Sequence, residues 1–292
     1  LTTDSNIVPD LETLIGRVSS ISTIPDVAAK ILEATSNPRS NASDLERLTR
    51  YDPGLTARVL KMVNSAYFGL EDPVYDVRKA IVFLGFQRMK DLALSSSVCE
   101  LFASDQQIGR YTRSGLWSHC VAVAVISVMI SRRLKQEFVE SPFSAGLLHD
   151  VGIIMYDQYA HSHFRRMMER PESQKGCLED AERACFGFTH CQLAAGVLQT
   201  WNFPDVFAEV AAFHHHPSRA ENFRELSSVV YLADVMCNYA NFGFVETKEI
   251  VASEFNFALQ ALGLTRADIE VMIADVPKEL QKADDFIGLI EE

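Results

Sequence analysis

Several common signatures are missing from this 292-residue chain, and each absence closes off a class of function. Its six cysteines, Cys99, Cys120, Cys177, Cys185, Cys191 and Cys237, contain no Cys-x-x-Cys pair, so neither a zinc knuckle nor a dithiol redox motif is expected. Reduced thiols and a cytoplasmic location follow from that usage. No Gly-x-Ser-x-Gly elbow and no Gly-x-x-x-x-Gly-Lys-Ser/Thr loop occurs, which removes the serine-hydrolase and P-loop readings. Positive charge is also scarce. The 27 lysines and arginines face 39 acidic residues, giving a formal net charge of −12, and pairs such as Arg132-Arg133 and Arg165-Arg166 stand isolated. Such a field repels phosphate backbones and anionic lipid, so direct nucleic-acid binding and membrane association are not expected. The most continuous apolar stretch, Cys120 to Ile130, is shorter than the roughly 20 residues of a membrane span and reads as a buried core helix. No signal peptide is evident, and because Leu1 is not methionine an upstream segment is expected.

What remains is helical. With 48% hydrophobic residues the chain can bury a large core. Leu11, Leu14, Ile15 and Val18 recur at i, i+3, i+4 and i+7. Ser43-Asp44-Leu45-Glu46 reads as a capping box ahead of Leu45 and Leu48, and Asp52-Pro53 as a cap followed by proline at the first helical position, ahead of Leu55, Val59, Met62 and Val63. Thr265 to Asp268 opens a further helix with Ile269, Met272, Ile273 and Val276 beneath it. No alternating strand run has useful length. The fold class is therefore all-α. The apolar pattern lapses over "SDQQIGRYTRSG", Ser104 to Gly115, between a helix carrying Leu92, Leu94 and Leu101 and one beginning near Trp117. A boundary there gives an amino-terminal helical lobe, 1–108, and a second helical domain, 109–292, whose last helices close against one or both.

Histidine carries the chemical information. His119 heads the apolar helix, His149-Asp150 ends the run Ala145 to Leu148, and His190 precedes "CQLAAGVL". His214, His215 and His216 follow "VFAEVAAF", and Asp234 sits inside "VVYLADVMC". Buried histidine and carboxylate groups each need a partner, and around a cation they become one another's partners. Imidazole with carboxylate suits iron, manganese, nickel or zinc, and Asp150, with two oxygens, is the candidate to bridge two ions. Taken singly, each has a structural alternative: His119 or His190 as a hydrogen-bonded core histidine, Asp234 as a helix-interior acceptor, the triplet as cations at a helix end. At most two of the three adjacent histidines can face one site. Gly152 is expected to end the helix that carries the motif. His161 and His163, beside Arg165 and Arg166, read as surface residues. Tyr67, Phe68 and Trp201 read as packing residues, Gly69 as a left-handed helix stop and Asn202 to Pro204 as a turn.

In order, His119, His149-Asp150, His190, His214-His215 and Asp234 resemble the ligand series of the HD phosphohydrolase superfamily. The flanks sharpen this. "LTRYDPGLTARVLKMVNSAYFGL", "AIVFLGFQRMKDLAL" and "ERACFGFTHCQLAAGVLQTWNFPDVFAEVAAFHHHP" are similar to signatures of the HDOD family, bacterial signalling proteins with an HD-related helical domain. The resemblance implies a first metal at His119, His149, Asp150 and Asp234 and a second at His190 and His214 with His215, the identity being iron, manganese, nickel or zinc. It implies a regulatory output through a signalling protein or an attached sensory or receiver domain. The alternative it leaves is a metal-dependent phosphohydrolase in which Asp150 bridges and His215 positions the phosphate. The related cyclic di-GMP phosphodiesterases carry a lysine three residues after the motif aspartate and a Gly-Tyr-Pro segment after the paired histidines. This chain has Ile153 at the first place and "SRAENFREL" after Pro217, so cyclic di-GMP hydrolysis is not expected.

Overall fold

A computed structural model describes residues 8–21, 46–47, 53–103, 107–135, 138, 141–170, 177–244 and 250–290. The described chain is almost entirely α-helical. The amino-terminal part contains α1 (Leu11–Ile21), α2 (Pro53–Val63), α3 (Val77–Leu84) and α4 (Phe86–Val98), which runs on as a 3₁₀ turn. The expected capping sites at Ser43 and Asp52 lie outside the described residues. On α1, Leu14 and Val18 are fully buried, each stabilising the fold by about 1.5–3 kcal/mol. The stripe faces the second half of the chain: α1 packs on α10 (His190–Thr200), which begins at His190, and on α7 (Val151–Tyr159), which follows His149-Asp150.

A small antiparallel ribbon, β1 (Gln107–Ile108) and β2 (Tyr111–Thr112), fills the segment where the apolar pattern lapses. Thr112 ends it by capping α5 (Arg113–Leu134), its hydroxyl accepting the Gly115 N–H at 2.9 Å. The helix thus begins four residues earlier than its apolar run suggests. At 22 residues α5 is, by length and composition, apolar enough to cross a bilayer. Here it is a core helix, packed by α6 (Pro142–Leu148), α12 (Arg224–Tyr239) and α14 (Arg266–Lys282), and this enclosure explains why it lacks a polar face.

The remaining helices are α8 (His161–Met168), α9 (Leu178–Phe186), α11 (Asp205–Phe213), α13 (Ala252–Leu262) and the short α15 (Asp284–Ile287). Capping boxes start α10, at Thr189 and Gln192, and α14, at Thr265 and Asp268. The Trp117 indole N–H is shared by the Phe286 and Ile287 carbonyls, both at 3.1 Å, which ties the carboxy-terminal turn to α5. Tyr67 and Phe68 are half-buried and pack edgewise, and both rings meet Phe286. Gly69 adopts a left-handed conformation at φ 59°, but α2 has already ended at Val63, so the glycine closes the turn after the helix rather than the helix itself. Trp201 is buried, and Asn202, at φ 56°, makes the turn after it.

Candidate metal centre

The centre is assembled from α5, α10, α11 and α12 and from the junction between α6 and α7. His149 and Asp150 occupy the two-residue link between α6 and α7, so Asp150 stands at the positive end of α7. His119 comes from α5, Asp234 from α12, His190 from the first turn of α10, and His214 and His215 from the end of α11. Two close backbone approaches hold these helices in register. A Cβ on Gly146 would stand 2.8 Å from the Cα of Ala124 on α5, and one on Gly152 only 2.1 Å from the His190 carbonyl oxygen. Gly152 therefore lies in the first turn of α7, where it admits α10, and does not end a helix as its sequence position suggests.

The distances divide into two sets that share Asp150. In the first, His119 Nε2 lies 3.5 Å from Asp150 Oδ2 and 3.2 Å from Asp234 Oδ1, and His149 Nε2 lies 3.2 Å from Asp150 Oδ2. In the second, Asp150 Oδ1, His190 Nε2 and His214 Nε2 form a near-equilateral triangle with sides of 3.5, 3.3 and 3.4 Å. His215 Nδ1 stands farther off, 3.8 Å from Asp234 Oδ2. His119, His149, Asp150, His190 and His214 are at most 1% exposed, and Asp234 is 4% exposed.

Tautomers can be read from the outer contacts. His149 Nδ1–H donates to the Gly146 carbonyl at 2.6 Å, and His214 Nδ1–H to the Ala211 carbonyl at 2.9 Å. His190 Nδ1–H donates to Glu182 at 2.8 Å. A carbonyl can only accept, so Nδ1 of His149 and of His214 carries a proton, and Nε2 is the ring atom turned toward the Asp150 carboxylate. His119 Nε2, His149 Nε2 and both Asp150 oxygens have no aligned hydrogen-bond partner. Leaving a buried polar atom unsatisfied costs about 1–3 kcal/mol, and four such atoms converge on one space.

The electrostatics call for positive charge there. Burial opposes ionisation of Asp150, yet His149, His214 and His190 hold its carboxyl well below the usual range. Burial likewise disfavours a charged His119 or His214, but Cys237 and Asp234 beside one, and Cys191 and Asp150 beside the other, raise their proton affinity well above the ordinary value. The donor set fits a divalent cation in place of those protons. With metal–nitrogen and metal–oxygen bonds of about 2.0–2.2 Å, donors around a tetrahedral ion sit about 3.3–3.6 Å apart, the spacing found here.

The same residues can be placed among known proteins. The HDOD domain profile matches residues 21–217, more than half of the chain. The chain belongs to the HDOD family. A protein of Treponema pallidum (strain Nichols), described as uncharacterized, is 23% identical over 225 residues, covering 76% of this chain and 43% of its own length, so this HDOD chain spans less than half of that relative. An HDOD domain protein of unknown function from Geobacter sulfurreducens has the same fold, with a TM-score of 0.78 at 23% identity over 95% of this chain and 96% of its own. A candidate signal transduction protein from Marinobacter aquaeolei gives 0.79 at 19% identity, covering 99% of this chain and 63% of its own. A candidate metal-dependent phosphohydrolase from Shewanella amazonensis gives 0.64 at 17% identity over 94% and 98%.

In this HDOD chain the described structure adds residues that the histidine pattern does not reveal. Glu182, fully buried on α9, accepts from both the backbone N–H and the Nδ1–H of His190. Cys191 is buried with Sγ 3.4 Å from His190 Nε2; burial pushes its thiol up, but His190 and His214 pull it down to about 5. Cys237 Sγ lies 3.5 Å from His119 Nδ1, and the Asn238 amide donates to Asp234 Oδ1 at 2.8 Å. His216 turns away and pairs with Glu179 at 3.2 Å. Two expectations are corrected. His163 is 6% exposed rather than on the surface, because α8 buries it with Phe164, Met167 and Met168. His161 is only half-exposed and pairs with Asp157 at 2.7 Å, a carboxylate that also binds Tyr111 and Arg113. An open cavity of about 650 Å³ reaches His215 and Asp234 and is walled by Glu179, Arg183, Arg219 and Tyr231. Ile153 is completely buried and offers nothing to it.

Proposed function

We propose that this chain is a metal-binding HDOD regulatory module, cytoplasmic in location, acting through a partner signalling protein or an attached sensory or receiver domain. The observation that carries the metal assignment is the convergence of unsatisfied His119 Nε2, His149 Nε2 and both Asp150 oxygens on one space. His119, His149, Asp150 and Asp234 would hold a first ion, Asp150 bridging to a second held by His190 and His214 with His215 nearby. Iron, manganese, nickel and zinc all suit such donors. A bound ion would supply Lewis acidity. The chain's own residues orient the imidazoles and exclude water from all but the His215 and Asp234 side. Buried Ile153, where related phosphodiesterases use lysine, supports binding without cyclic di-GMP hydrolysis. Relatives longer than this chain support an attached regulatory domain. The division into a lobe at 1–108 and an HD-like domain at 109–292 belongs to the same reading, with α1 reaching back across it to α10.

A second reading, metal-dependent hydrolysis of a nucleotide or other phosphoester, is favoured by the open cavity, whose Arg183 and Arg219 can meet a phosphate beside His215. A panel of phosphomonoesters and phosphodiesters, assayed with iron, manganese, nickel and zinc, separates the two. The regulatory reading predicts no turnover. Turnover abolished by Asp150→Ala would replace it with the hydrolase reading.

A further inference from the structure

We infer that Cys191 is a metal ligand, its thiolate joining His190 and His214 at the second centre. The inference rests on the metal reading above and gives that centre a sulfur donor. Cys191 is the second residue of α10 and 3% exposed, so its side chain enters the protein beside that of His190. Its Sγ is 3.4 Å from His190 Nε2 and 4.0 Å from His214 Nδ1, and the donor atoms of His190, Cys191, His214 and His215 lie within 4.8 Å of one another. Around His190 Nε2 the second centre's donors therefore stand at 3.4 Å for Sγ, 3.4 Å for His214 Nε2 and 3.5 Å for Asp150 Oδ1. A tetrahedral ion with nitrogen at about 2.0–2.1 Å and sulfur at about 2.3 Å calls for separations of about 3.3–3.6 Å.

Two other buried thiols are placed differently. Cys99, in the 3₁₀ turn that follows α4, donates to the Ser96 carbonyl at 3.2 Å. Cys237 donates to the Phe242 carbonyl at 3.5 Å and faces Nδ1 of His119, the ring nitrogen turned away from Asp150. The only carboxylate oxygen within hydrogen-bonding range of Cys191 among the described residues is Glu179 Oε1, at the outer limit of 4.0 Å. On binding, the thiol proton passes to solvent and sulfur donates its lone pair to the ion.

Two consequences follow. A centre with two imidazoles, one carboxylate oxygen and one thiolate prefers zinc or ferrous iron to manganese. It also leaves His215 to the cavity wall beside Asp234.

Zinc-loaded full-length protein, examined by X-ray absorption at the zinc edge, tests this directly. The expected spectrum contains one sulfur scatterer at about 2.3 Å beside nitrogen and oxygen at about 2.0–2.1 Å. Cys191→Ser should lose the sulfur and bind the second equivalent at least tenfold more weakly, while Cys237→Ser should keep it. A wild-type shell of nitrogen and oxygen alone overturns the inference whether or not either variant folds. Sulfur that persists in folded Cys191→Ser, or a single bound equivalent without sulfur, overturns it as well. Each of those results leaves the metal reading standing, whereas no zinc uptake at all removes both.

Discussion

Glu182 grips His190 twice: Oε2 accepts the backbone N–H of His190 at 2.9 Å and its Nδ1–H at 2.8 Å. The carboxylate fixes both the start of α10 and the tautomer of its first side chain, so Nε2 is left to face Asp150 and His214. Such outer partners commonly set metal affinity about 10–100-fold. Glu182→Gln is therefore expected to weaken the second equivalent of metal by that factor and leave the first unchanged, as read by competition with a chelator. Equal weakening of both equivalents would contradict the division into two centres.

Gly152 supplies the complementary constraint. A Cβ there would lie 2.1 Å from the His190 carbonyl oxygen, which is backbone and cannot swing aside. Overpacking of this kind costs about 3 kcal/mol. Gly152→Ala should lower thermal stability accordingly and, by forcing α7 and α10 apart, reduce metal uptake. A variant with unchanged melting temperature and full metal content would show that the two helices are not locked as described.

The start of α12, the helix that carries Asp234, depends on one carboxylate of α11. Glu209 Oε1 accepts the N–H groups of Glu221, Asn222 and Phe223 at 2.9, 2.7 and 2.9 Å. Burial raises its carboxyl, but these donors together with the Asn222 amide outweigh it and lower it below the ordinary 4.5. Because the folded value lies below the unfolded one, the stabilisation is complete above pH 4.5 and is lost as pH falls through the folded value. Glu209→Gln should cost about 1 kcal/mol at neutral pH, given its solvent exposure. Chemical denaturation across pH should show that difference shrinking in acid; a constant difference would mean the charge contributes nothing.

The sequence and the fold agree most closely where a residue's chemistry is out of place in its neighbourhood. His119 and Asp234 stand out against apolar helices, and the structure brings His119 to Asp150 and Asp234 to His119. Leu14, Val18, Met272 and Val276 follow the helical period and are buried as the period implies. Glu182 and Cys191 were not legible in the same way. On α9, nothing in "LEDAERACF" sets Glu182 apart from Glu179 and Asp180, and its role comes from meeting His190 at the first turn of α10. Cys191 looks like any small core thiol until His190 and His214 are placed around it. His163 was obscured by neighbouring arginines, although Phe164, Met167 and Met168 define a buried face on the same helix. For Gly152, helix-ending and helix-packing glycines look alike in one dimension, and only the approach of His190 distinguishes them.

The central claim is that Asp150 joins two metal centres, and elemental analysis of the full chain purified without nickel resin tests it most directly. Two equivalents of iron, manganese, nickel or zinc, acquired during expression or on reconstitution, are expected for the wild type, with near-complete loss in Asp150→Ala. Wild-type protein that arrives without metal and takes up none of the four would contradict the account.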